Sequence, residues 1–438
     1  MPDNQCYCLF VLGTRPEAIK MVPIIQAMEN SMIRPLVVDT GQHPDMVPAF
    51  LQLAGVTPDF QLASGQPGSS LVRTANRIME GIESVLDDLR GGPERRAAPR
   101  LFSGVGRKAG RYPAMMLVQG DTISAQVGAQ VAALNRLPVA HVEAGLRTGS
   151  RWNPFPEEIN RVVIGDYANL HLPPTWRSAQ SLVREGHDIG QMLVTGNTSI
   201  DSILWAAELN TPWPDPQLER LDTHEGPVVA VTAHRRENWA SGIGRIAEGI
   251  ELLCQRLPNV LVVIPMHPNP NVREVFLSRL GNLGNVILTD ALDYPAFARL
   301  LKRADLAISD SGGVQEEAPS LGTPVLVTRE ASERMEGVHA GVLKLVGTDP
   351  ELIASTAADL LSDWQALAAM TTQANPFGDG LAKERIVAAM EYLVFGGTPP
   401  DSFGSPFERL RILQESGYNE EEVKSAIEFT ARTTSARE

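Results

Sequence analysis

The stretch SDSGGVQEEAPSLG, Ser309 to Gly322, limits the fold most tightly, because it joins a buried strand, a glycine turn and a helix start with no loop between them. The run before it, Ala304–Ser309, is short and apolar, as a parallel strand covered on both faces must be. Ser311, Gly312 and Gly313 then keep side-chain bulk off the backbone, and the pattern from Val314 onward predicts a helix. Free N–H groups at such a helix start, together with the positive end of its dipole, attract phosphate. Glu317, one turn in, disfavours a bare phosphate but can accept hydrogen bonds from sugar hydroxyls. A sugar carried on a diphosphate satisfies both halves of the motif. The plainer alternative, a glycine-rich turn flanked by solvated acids, stays open for this stretch taken alone.

The same rhythm of apolar run, polar turn and helix recurs along the chain. Strands are expected at Cys6–Leu12, Arg34–Thr40, Ala114–Val118, Pro138–Val142, Leu170–Leu172 and Met192–Val194, then at Val228–Thr232, Val260–Ile264, Asn285–Leu288, Pro324–Val327 and Val342–Val346. Thr211–Pro227, rich in proline and polar residues, separates the two series and marks the expected domain boundary. At 438 residues the chain is long for one core, so two large α/β domains are expected, over 1–210 and 226–380. A helix over 381–396 is expected to pack back on the first domain. A helical extension over 397–438 follows, with short amphipathic helices at Phe407–Gly417 and Asn419–Thr430. The stretch 91–113, rich in Gly, Pro and Arg and without apolar periodicity, reads as a surface insertion.

A net charge of −14 disfavours non-specific binding to nucleic acid or to an acidic membrane, so an anionic ligand must be held by a few placed cations. The three cysteines, Cys6, Cys8 and Cys254, sit in apolar segments without metal-like spacing, which points to a reducing compartment and no disulfide framework. Met1–Gly13 lacks a basic start followed by a long apolar run, and no stretch approaches the length of a membrane span; a cytoplasmic protein is expected.

Chemistry-bearing residues gather after the strands. GTRPEAIKMVP, Gly13–Pro23, follows the first strand but is not GxGxxG, so the standard dinucleotide fingerprint is absent. Arg15 and Lys20 bracket that turn; solvated cations are the plainer reading. Asp121 sits at the carboxyl end of the strand Ala114–Val118, where capping of the next helix by Asp121 or Thr122 is the plainer reading. The loop His141–Arg161 is dense in charge, with Glu143, Arg147, Glu157, Glu158 and Arg161. Ligands of open α/β sheets bind at the carboxyl edge, so Asp121, Glu143 and Glu157 are expected on one rim. His234 follows the strand Val228–Thr232, with Arg235 and Arg236 beside it.

In order along the chain, GTRPEAIKMVP, QGDT, HVEAGLRTG, PFPEEINR, TGNTSIDS, AHRRENW, HPNPNVRE and SDSGGVQEEAPSLGTPVLV closely resemble the motifs of the non-hydrolysing bacterial UDP-N-acetylglucosamine 2-epimerases. The resemblance covers Leu9 to Val394 apart from 91–113. It implies a GT-B-type α/β architecture, two Rossmann-like doubly wound domains around a central cleft, and a homodimer. The implied activity converts UDP-GlcNAc to UDP-ManNAc with no nicotinamide, other cofactor or metal. The C2 hydrogen is not acidic, and the family's route is anti elimination of UDP to a 2-acetamidoglucal, then re-addition with protonation from the other face.

By the same resemblance Asp121, Glu143 and Glu157 are the catalytic carboxylates, and His234 lies near the diphosphate. Arg15, Lys20, Ser311, Gly312, Gly313, Glu317 and Arg334 match the nucleotide site, with Glu317 at the ribose and Phe297 at the uracil. Some members bind a second UDP-GlcNAc as an activator through residues resembling Gln42, Arg77, Arg235 and His267. Two positions depart from the pattern: Leu292 stands where the family often has glutamine, and Asp45 replaces the second glutamine of the activator motif. Three other readings are a hydrolysing relative that releases ManNAc, a glycosyltransferase on the same fold, and a catalytically silent UDP-sugar sensor. The intact GTRPEAIK and HVEAGLRTG argue against the hydrolase, and the joint presence of Asp121, Glu143, Glu157 and His234 against the sensor.

Overall fold

Most of the short apolar runs become parallel strands because the helix after each carries the chain back across the sheet. The structure, a computed structural model, describes residues 6–66, 68–91, 102–104, 111–234, 242–332, 334–419 and 421. β1 (Cys6–Leu12), β2 (Ile33–Asp39), β3 (Phe60–Leu62), β4 (Phe102–Gly104), β5 (Met115–Gln119), β6 (Val139–Val142) and β7 (Leu170–Leu172) make one sheet, ordered β4-β3-β2-β1-β5-β6-β7. Its neighbours are parallel except β3 and β4. β8 (Val228–Thr232), β9 (Leu261–Pro265), β10 (Val286–Thr289), β11 (Leu306–Ser309), β12 (Val325–Val327) and β13 (Leu343–Leu345) make a second, wholly parallel sheet, ordered β10-β9-β8-β11-β12-β13. The central strands are buried on both faces: Leu9 to Leu12 and Leu306 to Ser309 contain no exposed residue, which is why they lack a polar alternation.

The chain divides into two Rossmann-like units, Met1–Asp201 with Gly380–Glu438, and Ser202–Asp379. The first division falls within the helix Thr198–Glu208, ahead of the proline-rich stretch 211–227. The helix Ala382–Phe395 belongs to the first unit, where Glu391 accepts hydrogen bonds from Ser31 Oγ at 2.7 Å and from the amide of Met32 at 3.1 Å. In both sheets the order runs outward from the middle and then reverses, between β1 and β5 in the first unit and between β8 and β11 in the second. At such switch points the connecting loops part, and α/β proteins place their ligands there.

Two expectations need correction. Phe102–Gly104, inside the stretch read as an insertion, adds an antiparallel edge strand to β3; three residues are too few to carry a periodicity. Residues 92–101 and 105–110 of that stretch lie outside the described residues. Met192–Val194 forms no strand: only Met192 makes a bridge, to His171, and the carbonyl of Val194 is taken by the amide of Phe403 at 2.7 Å. The helix of the extension spans Pro406–Glu415, and the second one expected, Asn419–Thr430, falls outside the described residues beyond Glu421. Among the described residues no helix is long and apolar enough to cross a membrane.

Candidate active site

At the switch point of the first unit the chain leaves β1 through Gly13. A Cβ there would lie 2.0 Å from Thr40 Oγ1 and 2.3 Å from Ser124 Oγ, so only glycine lets the turn sit against the neighbouring loop and helix start. The helix Arg15–Ala27 follows, and Glu17 in its first turn folds back to accept the amides of Gly13 at 3.0 Å and Thr14 at 2.7 Å, as well as the hydroxyl of Thr122. Burial pushes the Glu17 carboxyl up to about 7, against the pull of these hydrogen bonds. The sequence reading passed over Glu17, although Thr14 and Glu17 have capping-box spacing.

Thr122, not Asp121, caps the helix Ile123–Leu134, its Oγ1 accepting the Ala125 amide at 3.0 Å. The Asp121 carboxylate is left for Arg161, whose Nε and Nη2 approach at 2.8 and 2.7 Å. Arg161 comes from the helix Glu157–Tyr167 and also meets Glu158 at 3.1 Å, while Asn160 Nδ2 donates to the Asp121 carbonyl at 2.7 Å. Burial raises the pKa of Asp121, Arg161 pulls it down, and the nearby Glu143 charge raises it again. Glu143, directly after β6, has φ +64°, a left-handed backbone that side chains resist. Its carboxylate accepts from Lys20 Nζ at 2.6 and 2.7 Å, from Asn197 Nδ2 at 3.2 Å and from Gln119 Nε2, an all-donor shell suited to an anion. Lys20 is thus a partner of Glu143 and not a solvated cation. Glu157 opens its helix with Oε2 buried and without a hydrogen-bond partner among the described residues. Below this group, buried His141 joins β6 to the end of β5 through Gly120 O at 2.8 Å, and burial lowers its pKa to about 4.

In the second unit, Thr232 Oγ1 and Ser309 Oγ, 2.7 Å apart, link the ends of β8 and β11. The fully buried Asp310 accepts the amide of His234 at 3.1 Å through both oxygens and lies 3.4 Å from its Nδ1. The His234 side chain stays 40% exposed and stacks on His267 with ring centroids 6.0 Å apart. Asp310 was not predicted as a site residue; its role depends on two strands far apart in sequence. The helix after β11 starts at Gly312, earlier than expected, with Ser311 as N-cap, and runs to Glu317. A Cβ at Gly313 would meet nothing nearer than Ser311 Oγ at 3.9 Å and Glu317 Oε2 at 4.0 Å, so no internal packing demands glycine there. Glu317 accepts from Tyr294 OH at 3.3 Å, and Tyr294 and the half-buried Phe297 share the helix Tyr294–Arg303. Arg334 Nε is paired with Glu316 at 2.8 Å, and Ser332, Gln315 and the Ser311 carbonyl form a chain of bonds at 2.6 and 3.1 Å behind the turn.

The other predicted residues are more scattered. Arg15 is half-buried and has no hydrogen-bond or ion-pair partner among the described residues. Gln42 accepts from Ser124 Oγ at 2.7 Å, and Arg77 Nη1 donates to Ser64 O at 3.3 Å and Ser69 Oγ at 3.2 Å; the amide of Gly65 bonds Gly41 O, so these two residues flank one pair of loops. His267 lies instead beside His234 in the second unit, and Arg235 falls outside the described residues. Asp45 precedes the helix Met46–Leu53, exposed and without a capping bond. Among the described residues no group of three or more His, Cys, Asp or Glu could hold a metal.

Two Rossmann-like units define the class: a GT-B-type enzyme, with paired carboxylates at one switch point and, at the other, a glycine-led helix start beside a histidine. Known proteins narrow the class. The family model described as UDP-N-acetylglucosamine 2-epimerase matches residues 108–391. The chain is 40% identical over 390 residues to the UDP-N-acetylglucosamine 2-epimerase of Yersinia pestis, covering 87% of this chain and 98% of that protein. The solved S. aureus MnaA–UDP co-structure superposes with a TM-score of 0.77 at 34% identity, covering 91% of this chain and 100% of that one. The crystal structure of UDP-GlcNAc 2-epimerase from Neisseria meningitidis bound to UDP-GlcNAc does so with a TM-score of 0.73 at 34% identity, covering 88% and 99%. The chain belongs to the UDP-N-acetylglucosamine 2-epimerase family. Its segment after Phe395 lies past the end of the family match.

Proposed function

We propose that the protein interconverts UDP-N-acetylglucosamine and UDP-N-acetylmannosamine at C2 without hydrolysis. The observation that carries this reading is the pair of carboxylates at adjacent strand ends, Asp121 held by Arg161 and Glu143 held by Lys20. Inversion at C2 needs a proton removed from one face and another delivered to the opposite face, and hence two groups. Asp121, Glu143 and Glu157 are the candidates, and burial raises the Asp121 pKa, a shift toward holding a proton that suits an acid/base group. As C2–H is broken the C1–O bond breaks with it, leaving a 2-acetamidoglucal and UDP. Return of the UDP oxygen to C1, with protonation of C2 from the other side, completes the inversion.

In this reading the departing diphosphate meets the N–H groups of the Ser311–Gly313 helix start and His234, which stabilise its charge. Glu317 accepts from the ribose hydroxyls and Phe297 covers the uracil. Asp310 fixes His234 by its backbone and ring, and the Arg334–Glu316 pair braces the helix that begins at Gly312. The test is product analysis by NMR after incubation with UDP-GlcNAc. The expected result is a mixture of the two UDP-sugars with no free ManNAc. Free ManNAc accumulating with UDP would replace this reading with a hydrolysing one, and an untouched UDP-sugar would leave a glycosyltransferase or a sensor.

A further inference from the structure

Past the family match, the chain turns at Gly396 and Gly397, both at positive φ, and stays with the first unit. Phe403 is held there through its amide on Val194 O at 2.7 Å and through its carbonyl, which accepts from Trp176 Nε1 at 3.0 Å. The helix Pro406–Glu415 then lies on the helix Trp176–Arg184. Arg409, 4% exposed, donates to Ile189 O at 3.0 Å, and Glu415 accepts from Gln180 at 2.7 Å. Ile412 and Leu413 are buried in one apolar cluster with Leu182, Val183, Ile189, Met192 and Ala144.

Ala144 is the residue after Glu143. The same loop is pressed on the helix Trp176–Arg184 at a second point, since a Cβ on Gly145 would lie 2.2 Å from Ser178 O. A third contact is bidentate: Arg147 donates from Nε and Nη2 to Glu185, each at 2.7 Å. Three layers are therefore stacked: the extension helix outside, the helix Trp176–Arg184 in the middle, and the loop carrying Glu143 inside. A left-handed glutamate is strained and persists only where its surroundings fix it.

We propose that the helix Pro406–Glu415 is a positioning element for the epimerase reaction, its Ile412 and Leu413 closing the apolar cluster that holds the Glu143 loop in its strained conformation. The inference rests on Glu143 being a proton-transfer group, and the test separates the two ideas. Leu413→Asp in the full chain puts a charge into the cluster. Expected are a fall in kcat of at least about tenfold, with KM for UDP-GlcNAc and Kd for UDP within about twofold, because misplacing a reacting group costs turnover and not nucleotide binding. Amide exchange at residues 143–147 should quicken, Leu413→Met should restore kcat, and in a Glu143→Gln background Leu413→Asp should cost nothing further.

Wild-type kcat in Leu413→Asp, alongside faster exchange over 406–415, would overturn the proposal while leaving Glu143 in its role. A loss of kcat and UDP affinity together, with exchange rising in both units, would also overturn it, since the helix would then serve only stability. If Glu143→Gln alone turns over like wild type, the reading of Glu143 fails, and the positioning role fails with it.

Discussion

Glu17→Gln isolates one buried proton, and its effect can be worked out from the structure. Glu17 is 1% exposed, and burial raises its carboxyl from 4.5 to about 7 in the folded chain. Between those values the folded protein keeps a proton that the unfolded chain has released. By linkage, stability contributed at this site falls as pH rises through the window, and the full cost is present above it. Each pH unit is worth about 1.4 kcal/mol, so the window carries about 3 kcal/mol. Glutamine cannot titrate. The unfolding free energy of wild type minus that of Glu17→Gln should therefore drop by about 3 kcal/mol from about pH 4.5 to about pH 7.5. Urea denaturation of both proteins across that range, read on the transition of the first unit, measures the difference. A flat difference would refute the reasoning that desolvation governs this carboxyl. A difference growing in favour of wild type would mean that the bonds from Gly13, Thr14 and Thr122 outweigh burial.

Asp121→Asn and Glu143→Gln should each lower kcat by about a hundredfold or more with UDP affinity, by calorimetry, within about twofold; near-normal turnover would remove that residue from the chemistry. Gly313→Ala should fold with an unchanged melting temperature, because the nearest atoms to a Cβ are 3.9 Å away. It should nevertheless weaken UDP binding by about tenfold or more, and undiminished binding would mean that phosphate does not approach this turn. His141, with its pKa lowered from 6.5 to about 4, acts oppositely to Glu17: the folded state resists protonation, so stability at this site is full above 6.5 and is lost as pH falls toward 4. The unfolding free energy of wild type minus that of His141→Gln should therefore rise by about 3 kcal/mol from about pH 4 to about pH 6.5, and a flat difference would contradict the assignment.

The alternation of apolar runs and helices made most of both sheets legible, since their central strands are covered on both faces, whereas β3, with Gln61 exposed between two buried residues, gave no such run. What escaped was short or long-range. β4 has only three residues, and Met192–Val194, apolar enough for a strand, bridges β7 only at Met192 while its Val194 carbonyl is taken by the Phe403 amide of the extension. Lys20 read as solvated because its partner Glu143 lies 123 residues away, joined to it only when β1 and β6 enter one sheet. Asp121 and Thr122 were equally good caps on paper, and Arg161, brought in by the helix Glu157–Tyr167, decides between them. Glu17 has the spacing of half a capping box, but its burial cannot be read from spacing. Asp310 is a similar case: it stands inside the motif that constrains the fold most, yet its bond to His234 exists because β8 and β11 are neighbours.

The central claim is that carboxylates of the first unit move a proton at C2 while UDP leaves C1 and returns to it. Incubation with UDP-GlcNAc in deuterated water, followed by mass spectrometry and NMR of the recovered UDP-sugars, tests it most directly. Deuterium should enter at C2 in both UDP-ManNAc and recovered UDP-GlcNAc, and incorporation should collapse in Glu143→Gln. Epimerised product carrying only protium at C2, or labelling that survives the substitution undiminished, would contradict the account.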